Sequence, residues 1–130
     1  MTSASRLFSI LRQGSYLIAS IHTALDDSQL KRFTEDLVQR IGSDRARGVL
    51  VDVAALDVLD SFASRTLRDI GEMARLRGAA TVIVGIQPEV AFAMVQLGMD
   101  TGSVVTALDL EEGIAALDCA LAGRVRVRRG

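Results

Sequence analysis

The chain has 130 residues, 49% of them apolar and 24% charged, which is the composition of one compact globular domain and excludes a disordered chain. Its 15 Lys and Arg residues are balanced by 16 Asp and Glu residues, so no basic excess indicates nucleic acid as a partner. One cysteine, Cys119, and one histidine, His22, are too few for a disulfide or a cysteine–histidine metal centre, and we expect no metal and no cofactor.

The N-terminal segment 1–21 carries Ser, Arg and Gln within its apolar stretches. A secretory signal peptide needs an uninterrupted apolar core, and a membrane span needs about 20 apolar residues. The segment meets neither requirement, so we expect a cytoplasmic protein with no membrane partner.

The hydrophobic pattern alternates between runs typical of strands and spacings typical of helices. Two short apolar runs around a turn at Gly14 predict an antiparallel hairpin. Runs rich in β-branched residues predict strands buried on both faces, and apolar residues at three- to four-residue spacing predict helices. The predicted elements, in chain order, are a strand at 7–11, a strand at 16–21, a helix from Asp26 or Asp27 to a stop at Gly42, a strand at 48–53, a helix at 61–77, a strand at 80–84, a helix at 88–97, a strand at 104–107 and a helix that Asp109 caps.

This order, β-β-α-β-α-β-α-β-α, predicts an α/β fold. Strands joined by helical crossovers run parallel, while the opening hairpin adds an antiparallel pair, so the sheet is mixed and the helices pack against it. No repeat or linker divides the chain, and we assign a single domain to residues 1–122. The basic run 123–130 is interpreted as a frayed, solvated tail.

Motifs of common enzyme classes are missing. Neither a dinucleotide-binding glycine pattern nor a phosphate-binding loop with its lysine occurs. The single imidazole, His22, has no identifiable acidic partner for serine hydrolysis, and Cys119 is interpreted as a small residue packed in the last helix. The residues therefore indicate none of these enzyme classes.

The most informative segment is VLDSFASRTL, residues 58–67, because it places an Asp-Ser pair where a loop meets a helix. Asp60 and Ser61 are both favoured N-cap residues, and either side chain can accept a hydrogen bond from a free amide. Three residues after Ser61 stands Ser64, not Glu or Gln, so no capping box is predicted here.

An open helix start of this kind can accommodate a phosphate. The free amides and the positive end of the helix dipole favour an anion, and Arg65 lies one turn further on. Asp57 and Asp60 would repel the same group, so phosphorylation of Ser61 would change the local field sharply. From the position of the Asp-Ser pair alone, helix capping remains the simpler interpretation.

At this segment the sequence resembles STAS domains, the fold of sulfate transporters and anti-sigma factor antagonists, in which a phosphorylatable serine follows an aspartate at a helix start. Ser61 takes that position. Within the family, the segments 58–67, 82–99 and 106–117 are similar to the stressosome scaffold proteins of the RsbS group, and the resemblance extends over about residues 7–121.

The resemblance implies a non-enzymatic scaffold in stress-response signalling. It implies that an RsbT-like serine/threonine kinase is sequestered and is released when it phosphorylates Ser61, with Asp57, Asp60, Phe62 and Arg65 surrounding the phosphosite and contacting the kinase. Further implied partners are RsbR-like sensor STAS proteins, a second copy of the chain in a dimer within a large complex, and a PP2C-type phosphatase that acts on Ser61.

Two alternatives stay open. One is a simple STAS antagonist that binds an anti-sigma kinase directly, although such proteins usually carry a smaller residue where Phe62 stands. The other is a STAS domain that binds a small ligand or lipid, for which the apolar composition would line a pocket.

Overall fold

The computed structural model describes residues 7–96, 98 and 104–129. Within these residues the chain forms five strands in one sheet and four helices, and their order confirms the α/β prediction. The elements are β1 (Phe8–Gln13), β2 (Tyr16–Ile21), α1 (Asp27–Asp44), β3 (Gly48–Asp52), α2 (Ser61–Leu76), β4 (Ala80–Val84), α3 (Pro88–Gln96), β5 (Val105–Ala107) and α4 (Leu110–Arg129).

The strands follow one another across the sheet in the order β1-β2-β3-β4-β5. β1 and β2 are antiparallel, and every later pair is parallel. Because each crossover advances by one strand in the same direction, α1, α2 and α3 cover one face of the sheet. The other face is covered by α4, whose Leu117 packs on Leu50 and Val82.

The hairpin is longer than the apolar pattern indicates. Backbone pairing continues to Gln13, which lies opposite Tyr16, and Gly14 and Ser15 form the turn. Gly14 has φ +62°, a left-handed conformation that glycine adopts without steric cost. The added strand residues, Arg12 and Gln13, are exposed, so only their backbone belongs to the sheet.

The predicted stop at Gly42 is wrong, since α1 continues to Asp44. The helix ends at Arg45, which takes the left-handed conformation with φ 51°. Gly42 serves packing instead. A Cβ at this position would lie 2.5 Å from Arg77 Nη1, so the missing side chain leaves room for the arginine at the end of α2.

The last helix also departs from expectation. α4 continues to Arg129, through the residues interpreted as a frayed tail, while the domain boundary at residue 122 stays a prediction. Tyr16 Oη donates a hydrogen bond to Asp118 and joins this helix to the sheet. Partial burial and this bond raise the pKa of Tyr16 to about 12. Cys119 is exposed, so the interpretation of a packed cysteine is wrong.

Candidate functional site around Ser61

The loop between β3 and α2 is held by three apolar side chains. Val53, Leu56 and Leu59 are buried in the main core, while Asp57 and Val58 between them are exposed. Burial at every third residue fixes an irregular segment without regular hydrogen bonding. The start of α2 is therefore a positioned structure and not a free loop end.

The loop that follows β4 supports this segment from the side. Val53 N donates to Val84 O over 2.9 Å, and Gln87 Nε2 donates to Ala54 O over 2.8 Å. Gly85 lets the two loops approach, because it has φ +84° and a Cβ there would lie 2.7 Å from Ala54 Cβ. Two loops at the carboxyl end of the sheet thus form one braced platform.

Asp60 is the N-cap of α2. Its Oδ1 accepts a hydrogen bond from Ala63 N over 2.8 Å, so of the two residues that the sequence leaves open as caps, the aspartate has this role. Ser61 is the first residue of the helix and is exposed. Its hydroxyl has no hydrogen-bond partner among the residues that the structure describes.

Apart from its cap, the start of α2 carries no acidic residue that would offset the positive end of the helix dipole. Position N3 is Ala63, which confirms the absence of a capping box, and the first turn contains no acidic residue. Free amides and the helix dipole thus meet an exposed hydroxyl at Ser61. Chemically, this arrangement presents a nucleophilic oxygen to an outside enzyme and an environment that can hold an anion afterwards.

The predicted neighbours of Ser61 all reach solvent. Asp57, Asp60 and Arg65 are exposed, and the Phe62 ring is 38% exposed. Sequence reasoning missed Val58, which is 72% exposed beside the buried Leu59. The available signal was an apolar residue between two aspartates in a loop. Ser61 is thus bordered by two exposed apolar side chains as well as by charges.

Two hollows lie beside the helix start. A cavity of about 130 Å³ lies on the side of Asp60 and is lined by Ile21, Ala24, Leu25, Leu30, Leu56, Val58, Leu59, Asp60, Ala63 and Leu67. A larger groove of about 540 Å³ lies between α1 and α2 and is lined by Asp27, Ser28, Lys31, Thr34, Glu35, Phe62, Arg65, Thr66, Asp69 and Met73. We call the second one the α1–α2 groove.

Ser64 lies on the inner side of α2. It is 2% exposed, and its hydroxyl has no hydrogen-bond partner in the part of the chain that the structure covers. Ser64 is therefore inaccessible to another protein, whereas Ser61 is accessible. Among the described residues, no group of three or more His, Cys, Asp or Glu side chains is placed to hold a metal ion, and no helix is long and apolar enough to cross a bilayer.

Residues 8–112 match the STAS domain family, so the chain belongs to this family. The match runs from β1 into the first turn of α4 and includes the whole platform around Ser61. The resemblance deduced from the Asp-Ser pair and the two later segments is thereby confirmed at the level of the family.

Similarity to individual proteins gives a more specific comparison than the family does. RsbT co-antagonist protein RsbRA of Bacillus subtilis strain 168 is 33% identical over 90 residues, which are 69% of this chain and 33% of RsbRA. The chain therefore spans about a third of the length of the curated relative it matches.

Solved structures give a closer match in length. An RsbS variant of Moorella thermoacetica with a serine-to-glutamate substitution superposes with a TM-score of 0.77 at 33% identity, covering 88% of this chain and 97% of that protein. A structure of the stressosome, described as a signal integration and transduction hub, contains a chain with a TM-score of 0.70 at 30% identity, covering 87% and 98%. This chain is thus similar to RsbS over nearly the full length of RsbS.

Proposed function

We propose that this protein is an RsbS-like scaffold of a stressosome, which holds a serine/threonine switch kinase and releases it when Ser61 is phosphorylated. The observation that carries the proposal is the exposed, unbonded hydroxyl of Ser61 at the first position of a braced helix. Similarity to RsbS and to a stressosome chain supports the same role. The name of RsbRA, an RsbT co-antagonist, supports an RsbT-like kinase as the partner.

In this proposal the chain is a substrate and not an enzyme. The kinase supplies ATP and the base, the Ser61 oxygen attacks the γ-phosphorus, the hydroxyl proton passes to the base, and ADP leaves. The product carries about 1.5–2 added negative charges at neutral pH beside Asp57 and Asp60. Repulsion and the larger phosphate alter the surface that the kinase contacts, so its affinity falls and it is released.

The remaining partners follow from the same role. A PP2C-type phosphatase resets the switch by hydrolysing the phosphoester of Ser61, and RsbR-like sensor STAS proteins assemble with this chain into a large cytoplasmic complex. A dimer of this chain is the expected building unit. Light scattering tests the assembly: a mixture with the RsbR-like partner should form a particle far larger than a dimer, and separate small species at micromolar concentration would contradict it.

Phosphopeptide mapping after incubation with kinase and ATP tests the switch directly. We expect incorporation at Ser61, its loss in Ser61→Ala, and retention of the kinase by that variant. Ser61→Asp should weaken kinase binding only partly, since a carboxylate has fewer charges and acceptor oxygens than a phosphate.

The matched control is Ser43, an exposed serine in the last turn of α1 whose hydroxyl donates to Asp44 over 3.4 Å and which lies outside the α1–α2 groove. Ser43→Ala should leave incorporation unchanged. Undiminished incorporation in Ser61→Ala would contradict the assignment. Ala93 on α3 is also exposed but has no hydroxyl, so no second site is expected at that position.

The ligand-binding alternative has less support. The cavity beside Asp60 measures about 130 Å³, whereas pockets for small-molecule ligands usually measure about 300–1,000 Å³. The α1–α2 groove is large enough but open and rimmed by charged side chains. The simple-antagonist alternative would require a kinase that accepts the bulky Phe62 beside the phosphosite.

A further inference from the structure

The α1–α2 groove begins beside the phosphosite and continues away from it along both helices. On α2 it is lined from Phe62, the residue after Ser61, to Met73, three turns further on. Helices α1 and α2 run in the same direction, because each connects two neighbouring parallel strands. The groove therefore has one end at Ser61 and one end remote from it.

The floor of the groove offers few polar groups to a partner. Thr66 Oγ1 donates to Phe62 O over 2.8 Å, and Thr34 Oγ1 donates to Leu30 O over 2.9 Å, so both hydroxyls are engaged within their own helices. Phe62 and Met73 supply apolar surface at the two ends. An apolar floor with a charged rim is the usual composition of a protein–protein interface.

Beyond Asp27, the first residue of α1, the charged residues on the rim form two bands. Lys31 and Arg65 are each the fifth residue of their helix, and Glu35 and Asp69 are each the ninth. Four residues of helix rise by about 6 Å, so a basic band near Ser61 is followed one turn later by an acidic band. Like charges thus occupy the same helix positions on the two walls.

Among the described residues, these charges are not neutralised by ion pairs with one another. No ion pair joins these four side chains to one another in the described ranges, although Lys31 and Glu35, and likewise Arg65 and Asp69, are four residues apart on one helix. The basic residue precedes the acidic one in both helices, which is the weaker order for such a pair. The four charges remain available to a partner.

We propose that the α1–α2 groove docks a helix of the switch kinase, with acidic side chains facing Lys31 and Arg65 and basic side chains one turn later facing Glu35 and Asp69. An apolar residue of that helix fills the floor between Phe62 and Met73. The inference rests on the proposed function, since it assigns the kinase as the occupant. A second copy of this chain is a poorer occupant, because a permanent dimer over the groove would cover the approach to Ser61.

An exchange of charges on α1 tests the docking apart from the phosphosite. The double variant Lys31→Glu/Glu35→Lys reverses the band on one wall, keeps the net charge, and places the acidic residue before the basic one, the better order for a helix. In a Ser61→Ala background, which blocks release, we expect the affinity for the purified kinase to fall roughly tenfold, as two attractive contacts become repulsive. Biolayer interferometry measures this change.

The control is the exchange Glu72→Arg/Arg75→Glu, which reverses an exposed ion pair on α2 outside the groove lining. It should change the affinity less than twofold by the usual behaviour of surface pairs. With Ser61 present, the α1 exchange should raise the KM for phosphorylation and leave kcat unchanged, because Lys31 and Glu35 do not contact the transferred phosphoryl group.

The outcomes separate the two proposals. Unchanged kinase affinity of the α1 exchange, with normal phosphorylation of Ser61, would overturn the docking groove and leave the scaffold function intact. Loss of dimer mass or of RsbR-like partner binding with unchanged kinase affinity would also overturn it, by assigning another occupant. Absence of any kinase binding by the Ser61→Ala chain with a native groove would overturn both proposals.

Discussion

The first two helices begin with the same chemistry and differ in what each start leaves free. At α1, Asp26 accepts from Gln29 N over 2.8 Å, and Gln29 Oε1 accepts in return from Asp26 N over 2.9 Å. The Ser28 hydroxyl donates a second bond to the Asp26 carboxylate. At α2, the Asp60 side chain accepts a hydrogen bond only from Ala63 N among the described residues, and the hydroxyl of Ser61 is exposed.

The difference separates a structural helix start from one that remains open to chemistry. A complete capping box pairs each of its two side chains with the backbone amide of the other residue, so an added group has nothing to bind without breaking it. A single cap leaves amides, the dipole and a hydroxyl available. Within one fold, two aspartate caps thus give opposite expectations for modification, and the following variants test this contrast.

The largest effect on stability is expected from removing a buried side chain of the loop that precedes Ser61. Leu59 is 6% exposed and lines the cavity beside Asp60, so Leu59→Ala enlarges an existing void. We expect the free energy of unfolding to fall by about 2–5 kcal/mol, measured by urea denaturation. Val58→Ala, at a neighbouring side chain that is 72% exposed, should change it by less than about 0.5 kcal/mol. Equal losses in both variants would show that the loop is not held by its buried residues.

An intermediate effect on stability is expected from removing one hydrogen bond of the capping box at the start of α1. Gln29→Ala removes the acceptor of Asp26 N and leaves the cap itself in place. We expect the Tm to fall by roughly 2–4 °C, the effect of losing one exposed capping hydrogen bond in a domain of this size. Gln39→Ala, at an exposed residue further along α1, is the control and should not lower the Tm. A Tm of Gln29→Ala equal to that of the control would mean that the box contributes nothing.

The sequence predicts the elements well where side chains alone decide them. The strands at 16–21 and 80–84 have the predicted boundaries, because their apolar runs end where the backbone pairing ends. The errors lie where backbone geometry or a distant contact decides. Arg45, not Gly42, adopts the left-handed conformation at the end of α1, and the space at Gly42 is taken by Arg77, which is distant in sequence.

The candidate site divides in the same way. Asp60 and Ser61 are local features, so the sequence identifies the pair but leaves open which one caps the helix, since both side chains can accept the same hydrogen bond. The α1–α2 groove was not predicted. Lys31 and Arg65 are far apart in the chain, and only the packing of α1 beside α2 brings them to one groove.

The smallest expected effect concerns the carboxylate of Asp26 at the start of α1. Hydrogen bonding lowers the pKa of Asp26 below its ordinary value of 3.8. The largest contribution comes from the backbone of Gln29, and the next from the side chain of Ser28. A carboxyl whose pKa is lower in the folded state contributes stability that is fully present above the unfolded value and is lost as pH falls through the folded one.

Ser28→Ala should therefore raise the pKa of Asp26 part of the way, whereas Gln29→Ala should leave it nearly unchanged, because alanine still supplies the backbone N–H that Asp26 accepts. Carboxyl carbon NMR titration measures each value. Ser43→Ala, at the other end of α1, is the control and should leave the Asp26 titration as it is. If the pKa of Asp26 rises as much in Gln29→Ala as in Ser28→Ala, the shift belongs to the integrity of the whole capping box and not to its individual donors. The contrast between the two helix starts would then rest on cooperativity.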